Sequence, residues 1–335
     1  MNHKKLYILL SSLFGLFLVV FWMFFANYTL KKDTYLYIDH DDTIDSIYTK
    51  LDKEASLGHY SAFRLLAFLF NYPKHIHHGR YKLSNISPLN LLRNMRNGKQ
   101  GPVTLTIPIL RTTDDLSEFL GKNFEPSAKE FKETFDSEKI CREFGETPNT
   151  IICLFIPNTY EIYWNTTPKE LLSRMQKESE KFWTSSRKQQ ASEAGLTPQQ
   201  VITIASIVEQ ETTNNDEKPM IAGMYINRFR QGMKLQADPT VKFATKQFSL
   251  KRISGSILQT DSPYNTYKYV GLPPGPICIP SQASIKAVLN YTHHDYIYMC
   301  AKEDFSGTHN FAKTYTEHQA NAKRYTEALD KRNIK

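Results

Sequence analysis

Residues 197–212 read TPQQVITIASIVEQET and predict the central helix of the fold. Thr197 is placed to cap the helix, Pro198 suits its first turn and Gln200 completes a capping box. Apolar residues then recur at positions 201, 204, 205 and 208, which is the spacing of a helix with one buried face. The segment therefore predicts a helix that has a buried face and ends near two glutamates.

The two glutamates, Glu209 and Glu211, project in different directions from this helix. At about 100° per residue, Glu209 lies on the flank of the apolar stripe and Glu211 lies about 200° away from it. We expect the aliphatic neighbours of Glu209 to disfavour its ionised form and to raise its pKa toward that of a general acid. The helical wheel does not decide which glutamate is functional, and a glutamate that only caps the helix or pairs with a neighbour is the alternative. Because they face apart, the two carboxyls are not a paired-carboxylate site within this helix.

The stretch from Ile204 to Thr212 resembles the A-S-I-V-E-x-E-T signature of the endolytic murein transglycosylases, the YceG-like family. Further blocks follow with the order and spacing of that family: INRF (226–229), GMKLQADPTV (232–241), SPYNTY (262–267), GLPPGPI (271–277) and GTHNF (307–311). Upstream, GRYKL (79–83) is similar to the end of the family's LysM-like module, and FIPNTY (155–160) is similar to its F-P-D-T-Y block. The resemblance therefore covers nearly the whole chain.

The chain departs from the family pattern in its middle region. Ile109-Leu110 stands where the family commonly has Glu-Gly, Ile156 is inserted in the F-P-D-T-Y block, and Asn158 replaces the aspartate of that block. These differences leave the Glu209 segment intact. They affect residues of the middle region that would contact the substrate in the family.

The resemblance implies an α+β fold in four parts. Residues 1–32 are expected to form a cytoplasmic stub and transmembrane anchor, 33–105 a small LysM-like α/β module, 106–196 a mainly helical part of the YceG-like region, and 197–335 a mixed α+β catalytic core. Local patterns in the module agree with this division. They predict strands at 34–39, 79–83 and 103–108 and a helix that starts at Ser87-Pro88.

The resemblance also implies a reaction. The family cleaves the β-1,4 bond between N-acetylmuramic acid and N-acetylglucosamine within glycan strands, without water, and leaves a 1,6-anhydromuramyl end. Its catalytic glutamate corresponds to Glu209, which would protonate the leaving oxygen and then take the proton of the attacking muramyl 6-hydroxyl. One carboxyl can therefore suffice, whereas a hydrolase normally needs a second. The implied protein is a lyase of cell-wall biogenesis without a cofactor, with peptidoglycan glycan strands and cell-wall synthesis proteins as partners.

Four residues of the matched blocks are candidates to bind the acetamido and hydroxyl groups of the sugars: Asn227, Gln236, Tyr264 and Asn265. Asp238 is either the second carboxylate of a muramidase on the same fold or a residue that fixes the turn before Pro239. His309 either orients the substrate or Glu209, or is a structural histidine. A non-catalytic peptidoglycan-binding scaffold, in which the Glu209 block only maintains the fold, is a further alternative.

The N-terminal segment predicts a membrane anchor. Leu6–Ala26 carries no charge, and as a helix it would span about 30 Å, the thickness of the hydrocarbon core of a bilayer. The segment is longer than the apolar region of a signal peptide and lacks its small-residue cleavage site, so we expect an uncleaved anchor with Trp22 and Tyr28 at the interface. Lys4-Lys5 and Lys31-Lys32 nearly balance, so charge does not fix the orientation. The family resemblance implies a single pass through the inner membrane with the catalytic domain outside the cytoplasm.

Composition sets broader limits. The chain has 335 residues and a net charge of +8, from 42 Lys+Arg and 34 Asp+Glu, with 41% hydrophobic and 13% aromatic residues. These values exclude a disordered or collagen-like chain, and the length predicts about two domains. The basic excess suits an anionic wall polymer. Without a basic stripe interleaved with aromatic residues, nucleic acid is not an expected partner.

The cysteines and histidines give weaker indications. The chain has four cysteines: Cys141, Cys153, Cys278 and Cys300. Outside the cytoplasm they could form disulfides in three pairings, and the sequence does not choose among these pairings. The histidines at 75, 77 and 78 have no cysteine or carboxylate at ligand spacing, so a solvated basic loop is expected and a metal site is not.

Overall fold

The computed structural model describes residues 3–27, 33–55, 57–250, 253 and 255–332. Within these residues the chain is a mixture of helices and short strands, which confirms the predicted combination of α and β structure. The chain divides into two compact units. Unit 1 contains residues 1–105, 123–126 and 160–167, and unit 2 contains residues 106–122, 127–159 and 168–335.

Helix α1 (His3–Phe25) contains the predicted anchor. Its segment Lys4–Phe25 has 22 residues, and an 18-residue window of it has a mean hydropathy of 2.5, so by length and composition it is able to cross a membrane. Trp22, predicted to lie at the interface, is exposed near the end of the helix. Tyr28 and Lys31-Lys32, the other residues of the predicted outer boundary, lie outside the described residues.

Unit 1 contains a strand–helix–helix–strand module followed by a helix. Its elements are β1 (Tyr35–Ile38), α2 (Ile44–Glu54), α3 (Leu57–Leu69), β2 (Gly79–Lys82) and α4 (Pro88–Arg96). β1 and β2 pair antiparallel, with Ile38 opposite Gly79, so both predicted strands are confirmed. The Ser87 hydroxyl accepts a hydrogen bond from the Asn90 N–H at 3.4 Å, which confirms the predicted start of α4. The core of the module consists mainly of Leu36, Ile38, Ile47, Leu51, Phe63, Tyr72, Tyr81, Leu91 and Met95.

The middle of the chain contains a strand that the sequence did not indicate. β3 (Val103–Thr106), which was predicted, pairs with β4 (Thr159–Ile162), which lies in a region predicted to be mainly helical. In β4 the buried residues Tyr160 and Ile162 alternate with exposed ones, but four residues are too few for this period to be recognised. The helices of this region are α5 (Thr113–Gly121), α6 (Ala128–Asp136), α7 (Glu138–Glu143), α8 (Pro168–Phe182) and α9 (Ser185–Glu193).

The central helix of unit 2 is α10 (Pro198–Glu211), and its capping box is confirmed: Thr197 accepts from the Gln200 N–H, and Gln200 accepts from the Thr197 N–H. The predicted buried face is confirmed, since Val201, Ile204, Ala205 and Val208 are buried, and burial extends to every other residue from 201 to 208. The polar side chains among them are satisfied within the helix, since Thr203 donates to the Gln199 carbonyl at 2.9 Å and Ser206 to the Thr203 carbonyl at 2.7 Å. α10 is therefore a core helix packed on several sides.

Elements on more than one side of α10 account for this burial. They are α11 (Lys218–Arg230), α12 (Asp238–Thr245) and α13 (Gln282–Leu289), and unit 2 ends with β5 (Tyr298–Ala301), β6 (His309–Ala312) and α14 (Tyr315–Lys331). β5 and β6 pair antiparallel, with Ala301 opposite His309. Because residues 201–208 of α10 are buried, its partly buried last turn, with Glu209 and Glu211, carries the charged groups of the helix.

Candidate active site

A buried hydrogen bond sets the position of α13 beside α10. The Ser206 hydroxyl accepts from the Ile277 N–H at 3.0 Å, so the chain segment that leads into α13 is fixed against the middle of α10. α13 then begins at the capping residue Ser281, whose hydroxyl accepts from the Ser284 N–H at 3.2 Å. The first turn of α13 consequently faces the last turn of α10, where Glu209 lies.

The Glu209 carboxylate binds the start of α13 through one of its oxygens. Oε2 accepts the Ser281 N–H at 3.0 Å, the Ser284 hydroxyl at 2.5 Å and a short hydrogen bond from the Ser281 hydroxyl. A carboxylate at a helix N-terminus is also stabilised by the helix dipole. Three donors on one oxygen fix the plane of the carboxyl group, so Oε1 is held in a defined direction.

Lys218, in the first turn of α11, is the cation of this site. Its Nζ lies 3.4 Å from both carboxylate oxygens of Glu209. The exposed fraction is 4% for the Lys218 side chain and 10% for that of Glu209, so the two charges form a largely buried pair. In the part of the chain that the structure describes, Lys218 is the hydrogen-bond partner of Glu209 Oε1, which leaves that oxygen less occupied than Oε2.

The pKa of Glu209 is shifted in the direction opposite to our expectation. Burial raises it, as expected, but the hydrogen bonds from Ser281 and Ser284 and the charge of Lys218 outweigh burial, and the pKa lies below its ordinary value. The prediction of a raised pKa was wrong because it considered only the aliphatic neighbours on α10. The resting group at neutral pH is therefore a carboxylate.

Glu211 has the raised pKa instead. Burial raises the pKa of its carboxyl to about 7, and the nearby Asp238 carboxylate acts in the same direction. The Tyr225 hydroxyl on α11 donates to Glu211 Oε1 at 2.5 Å and partly offsets this effect. At neutral pH Glu211 is thus poised between its protonated and ionised forms.

Glu211 lies at the edge of a polar cavity with a volume of about 380 Å³, within the usual range of small-ligand sites. Three sequence-predicted residues line the same cavity, namely Gln236, Asp238 and His309. Arg228, Tyr267 and His318 add further hydrogen-bonding groups to its wall. Glu209 is not among the residues that line this cavity, in agreement with the opposed directions of the two glutamates.

The three predicted residues in the cavity are held by neighbouring side chains. Gln236, which has a positive φ of 51°, accepts a short hydrogen bond from Arg228. Asp238 accepts from the Tyr267 hydroxyl at 2.6 Å. The Nδ1 of His309 lies 3.1 Å from Glu217 Oε2, and its backbone N–H donates to Glu217 Oε1 at 2.5 Å. The directions of these polar groups are therefore fixed before any ligand binds.

The other predicted residues lie elsewhere and support loops. The Asn227 amide donates to the carbonyls of His294 and Tyr296, at 2.6 and 3.0 Å. Asn265 is completely buried, and its amide donates to the carbonyls of residues 258 and 260. The Tyr264 ring packs on Phe243, with ring centroids 4.7 Å apart. Asn227 thus supports the segment before β5, and Tyr264 and Asn265 support the chain beside α12.

Sequence reasoning missed the residues that hold Glu209 and Glu211. Ser281 and Ser284 have the spacing of a helix cap, which predicts the start of α13 but not what it faces. Lys218 and Tyr225 carried no signal, because their role depends on how α11 packs against α10.

The four cysteines are free thiols in the structure, so none of the three pairings considered is formed. Cys141, Cys153 and Cys278 are buried, and Cys300 is partly buried.

Comparison with known proteins gives a consistent result. A sequence model of the YceG-like family matches residues 36–324 of the chain. An endolytic murein transglycosylase of Streptococcus pneumoniae serotype 2 (strain D39) is 29% identical over 327 residues, covering 87% of this chain and 58% of that protein. An endolytic murein transglycosylase of Bacillus subtilis (strain 168) is 32% identical over 168 residues, covering 50% of this chain and 46% of that protein. The chain thus spans about half the length of these curated relatives.

A solved structure agrees with the sequence relatives. The crystal structure of a YceG-like protein from Listeria monocytogenes matches with a TM-score of 0.55 and 26% sequence identity. The match covers 87% of this chain and 99% of the other.

Proposed function

Because the chain belongs to the YceG-like family, we propose that it is a membrane-anchored endolytic lytic transglycosylase of peptidoglycan. The names of its relatives support this activity. The proposed reaction cleaves the β-1,4 bond between N-acetylmuramic acid and N-acetylglucosamine within glycan strands and leaves 1,6-anhydromuramyl ends. The enzyme would thus be a carbon–oxygen lyase that acts on a polysaccharide during cell-wall biogenesis.

The observation that carries the mechanism is the asymmetric binding of the Glu209 carboxyl group. Three donors at the start of α13 hold Oε2, while Oε1 contacts Lys218. We assign the proton transfers to Oε1, since a proton can move there without disturbing the anchored oxygen. Such preorganisation is what a single acid/base residue requires.

The steps balance with one carboxyl group. Protonated Glu209 gives its proton to the glycosidic oxygen as the bond from that oxygen to muramyl C1 breaks. The muramyl 6-oxygen then forms a bond to C1, and its proton passes to the Glu209 carboxylate. The nucleophile belongs to the same sugar, so the closure is intramolecular and needs no second carboxylate to activate water.

The resting carboxylate has to be protonated before the first step. The donors around Glu209 favour its charged form, so in the free enzyme only a small fraction carries the proton at neutral pH. We propose that a bound glycan strand raises this fraction by excluding water from Oε1. The reaction is therefore expected to be faster at mildly acidic pH.

We propose that the cavity beside Glu211 holds a sugar of the same glycan strand. Gln236, Asp238 and His309 present an amide, a carboxylate and an imidazole to it, and these groups suit acetamido and hydroxyl groups. For Asn227, Tyr264 and Asn265 we propose an indirect role, because they support the surrounding loops.

The four-part division of the chain is also part of the proposal. The strand–helix–helix–strand order of unit 1 supports a LysM-like module at 33–105 that binds glycan. The length and hydropathy of α1 support a single-pass anchor within residues 1–32. Residues 106–196 would connect the module to a catalytic core at 197–335, on the extracytoplasmic side of the inner membrane. Cell-wall synthesis proteins are the proposed further partners.

A second candidate function is hydrolysis, as in a muramidase. The observation that favours it is that Glu211 and Asp238 line one cavity, and that the carboxyl of Glu211 is partly protonated at neutral pH. In that case Glu211 would act as the general acid and Asp238 as the second carboxylate. Glu209 would then only hold α10 against α13.

Mass spectrometry of the products in ¹⁸O-labelled water tests the proposal. The full chain in detergent micelles is incubated with purified glycan strands, beside the Glu209→Gln variant as control. Products that end in 1,6-anhydromuramic acid without ¹⁸O, absent with the variant, would support the lytic reaction. Reducing ends that contain ¹⁸O would establish hydrolysis instead. Binding of the strands without cleavage would favour a non-catalytic scaffold.

A further inference from the structure

Helix α3 is apolar on two opposite faces. Its inner face is formed by Ala62, Phe63, Leu66 and Ala67, which are buried in the core of unit 1. Its outer face continues into the following turn and consists of Leu65, Phe68, Leu69 and Phe70, all exposed. Phe68 is 80% exposed, the highest value among the exposed large hydrophobic residues of the described chain. We call these four residues the α3 apolar face.

Ser61 and Arg64, both exposed, lie on the same side of α3, so this side combines apolar side chains with a cation, as in helices that bind the membrane interface. α3 has 13 residues and a length of about 20 Å, which is too short to span a bilayer. A helix of this kind is suited to lie in the plane of the membrane interface, with its outer face in the headgroup region.

Unit 1 is joined to the anchor helix next to α3. Phe24, near the end of α1, packs against the hydrophobic core of unit 1. The Trp22 ring lies 5.8 Å from the ring of His59, a residue of α3. α1 contacts both α3 and α4. A bilayer interface at this end of α1 would therefore reach the surfaces of α3 and α4.

Arginines accompany the apolar face. Arg93 and Arg96 of α4 line a hollow of about 230 Å³ together with Phe70 and two leucines. Their side chains are exposed. Guanidinium groups beside exposed aromatic and aliphatic side chains match the chemistry of an anionic lipid headgroup above its acyl chains.

We propose that the α3 apolar face, with Arg93 and Arg96, docks into the interface of the anionic phospholipid bilayer that α1 crosses. The proposal rests on the proposed membrane anchor but not on the catalytic mechanism. A protein partner is less well supported, because the anchor already contacts α3 and the arginines suit phosphate groups. Docking would add a second attachment to that of α1 and would hold unit 1 at the membrane surface.

Depth-dependent fluorescence quenching tests this proposal. A single reactive cysteine is introduced as Phe68→Cys, Asp52→Cys or Leu13→Cys in a Cys300→Ser background, since the remaining three cysteines are buried. Asp52 is an exposed position on α2 and serves as the control, and Leu13 lies within α1. Each full-length protein, labelled with an environment-sensitive fluorophore, is reconstituted into vesicles of phosphatidylethanolamine and phosphatidylglycerol. The quenchers are lipids that carry a nitroxide near the headgroup end of the acyl chain and, separately, aqueous iodide.

The proposal predicts that the label at 68 is quenched by the lipid nitroxide at least about twofold more than the label at 52, and is less accessible to iodide. If the label at 13 is in lipid while those at 68 and 52 are equally aqueous, docking is refuted and the anchor stands. An aqueous label at 13 would refute the anchor, and the proposal with it. Arg93→Glu/Arg96→Glu is expected to reduce the quenching at 68 in these vesicles. Unchanged quenching in that variant would contradict the role of the arginines.

Discussion

The Ser284 hydroxyl donates to Glu209 Oε2 at 2.5 Å and so joins two residues that are 75 positions apart in the chain. This contact links the end of α10 to the start of α13, and with the two Ser281 donors it fixes the carboxyl plane of the proposed catalytic residue. It also contributes to the low pKa of Glu209. The same contact therefore positions the carboxyl group that we propose as the acid/base and contributes to its preference for the ionised form.

Removal of this hydroxyl is expected to change the pH dependence of cleavage. If protonated Glu209 starts the reaction, log kcat/KM of the unaltered protein falls by about one unit per pH unit between pH 5 and pH 8. Ser284→Ala removes a hydrogen bond that lowers the pKa of Glu209, so this pKa should rise, and the protonated fraction and kcat/KM at neutral pH should rise with it. The measurement is the kcat/KM profile of both proteins, with Ser186→Ala, an exposed serine on α9, as control. A profile that Ser284→Ala leaves unshifted would refute Glu209 as the acid.

The pair formed by Lys218 and Glu209 is expected to stabilise the fold in a pH-dependent way. Lys218→Met leaves a largely buried carboxylate without its cation, and we expect a loss of about 3 kcal/mol in the free energy of unfolding at neutral pH. The pKa of Glu209 is lowered, so this stabilisation is present above the unfolded-state pKa and is lost as the pH falls through the folded-state pKa.

Denaturant unfolding at pH 7 and pH 4 measures this difference. The matched control is Lys177→Met, which replaces an exposed lysine on α8 and should change stability by less than about 0.5 kcal/mol. Two outcomes would show that the pair is not a buried charge interaction. One is an equal loss of unfolding free energy in both variants, and the other is a loss in Lys218→Met that is as large at pH 4 as at pH 7.

Glu211 is expected to act on stability in the opposite direction. Its folded-state pKa of about 7 exceeds the unfolded-state value, so ionisation is disfavoured in the folded protein and stability falls as the pH rises from about 4.5 to about 7. Glu211→Gln removes this titration. Relative to the variant, the unaltered protein should lose at most about 3 kcal/mol between pH 5 and pH 8.

Unfolding curves of both proteins at these two pH values provide the measurement, with Glu193→Gln at an exposed position of α9 as control. A stability difference between the unaltered protein and Glu211→Gln that stays constant across this range would mean that the pKa of Glu211 is not raised.

Gly275 is expected to tolerate no side chain. A Cβ at this position would lie 2.0 Å from the Asn149 carbonyl oxygen, a backbone atom that cannot rotate away. Gly275→Ala should therefore lower the free energy of unfolding by about 3 kcal/mol. Gly101→Ala is the control, because its Cβ would meet its nearest neighbour at an ordinary 3.9 Å. Similar stability of the two variants, measured by denaturant unfolding, would contradict this close approach.

The sequence predicted local features well because their causes are local. The capping box at Thr197 and the cap at Ser87 depend on residues within one helical turn, and both are present. The β1 and β2 segments likewise follow from short alternating patterns. Burial on all sides of α10 depends on what packs around the helix, so the pattern of its own residues underestimated it.

The candidate site was only partly predictable, for the same physical reason. Glu209 stands out from a signature, and Gln236, Asp238 and His309 do share a cavity. The pKa of Glu209, however, is determined by Ser281, Ser284 and Lys218, which reach it from other helices. The aliphatic neighbours of Glu209 on its own helix therefore predicted the wrong direction for the shift of its pKa.

The most direct measurement is the initial rate of glycan-strand cleavage by the full-length protein, by Glu209→Gln and by Glu211→Gln, with products identified by mass. Glutamine keeps the size of either side chain and removes only its ability to exchange a proton. We expect that Glu209→Gln lowers the rate by at least about a hundredfold while strand binding persists, and that Glu211→Gln still yields 1,6-anhydromuramyl ends. Retained cleavage by Glu209→Gln together with loss of cleavage in Glu211→Gln would contradict it and would assign the acid to the other glutamate.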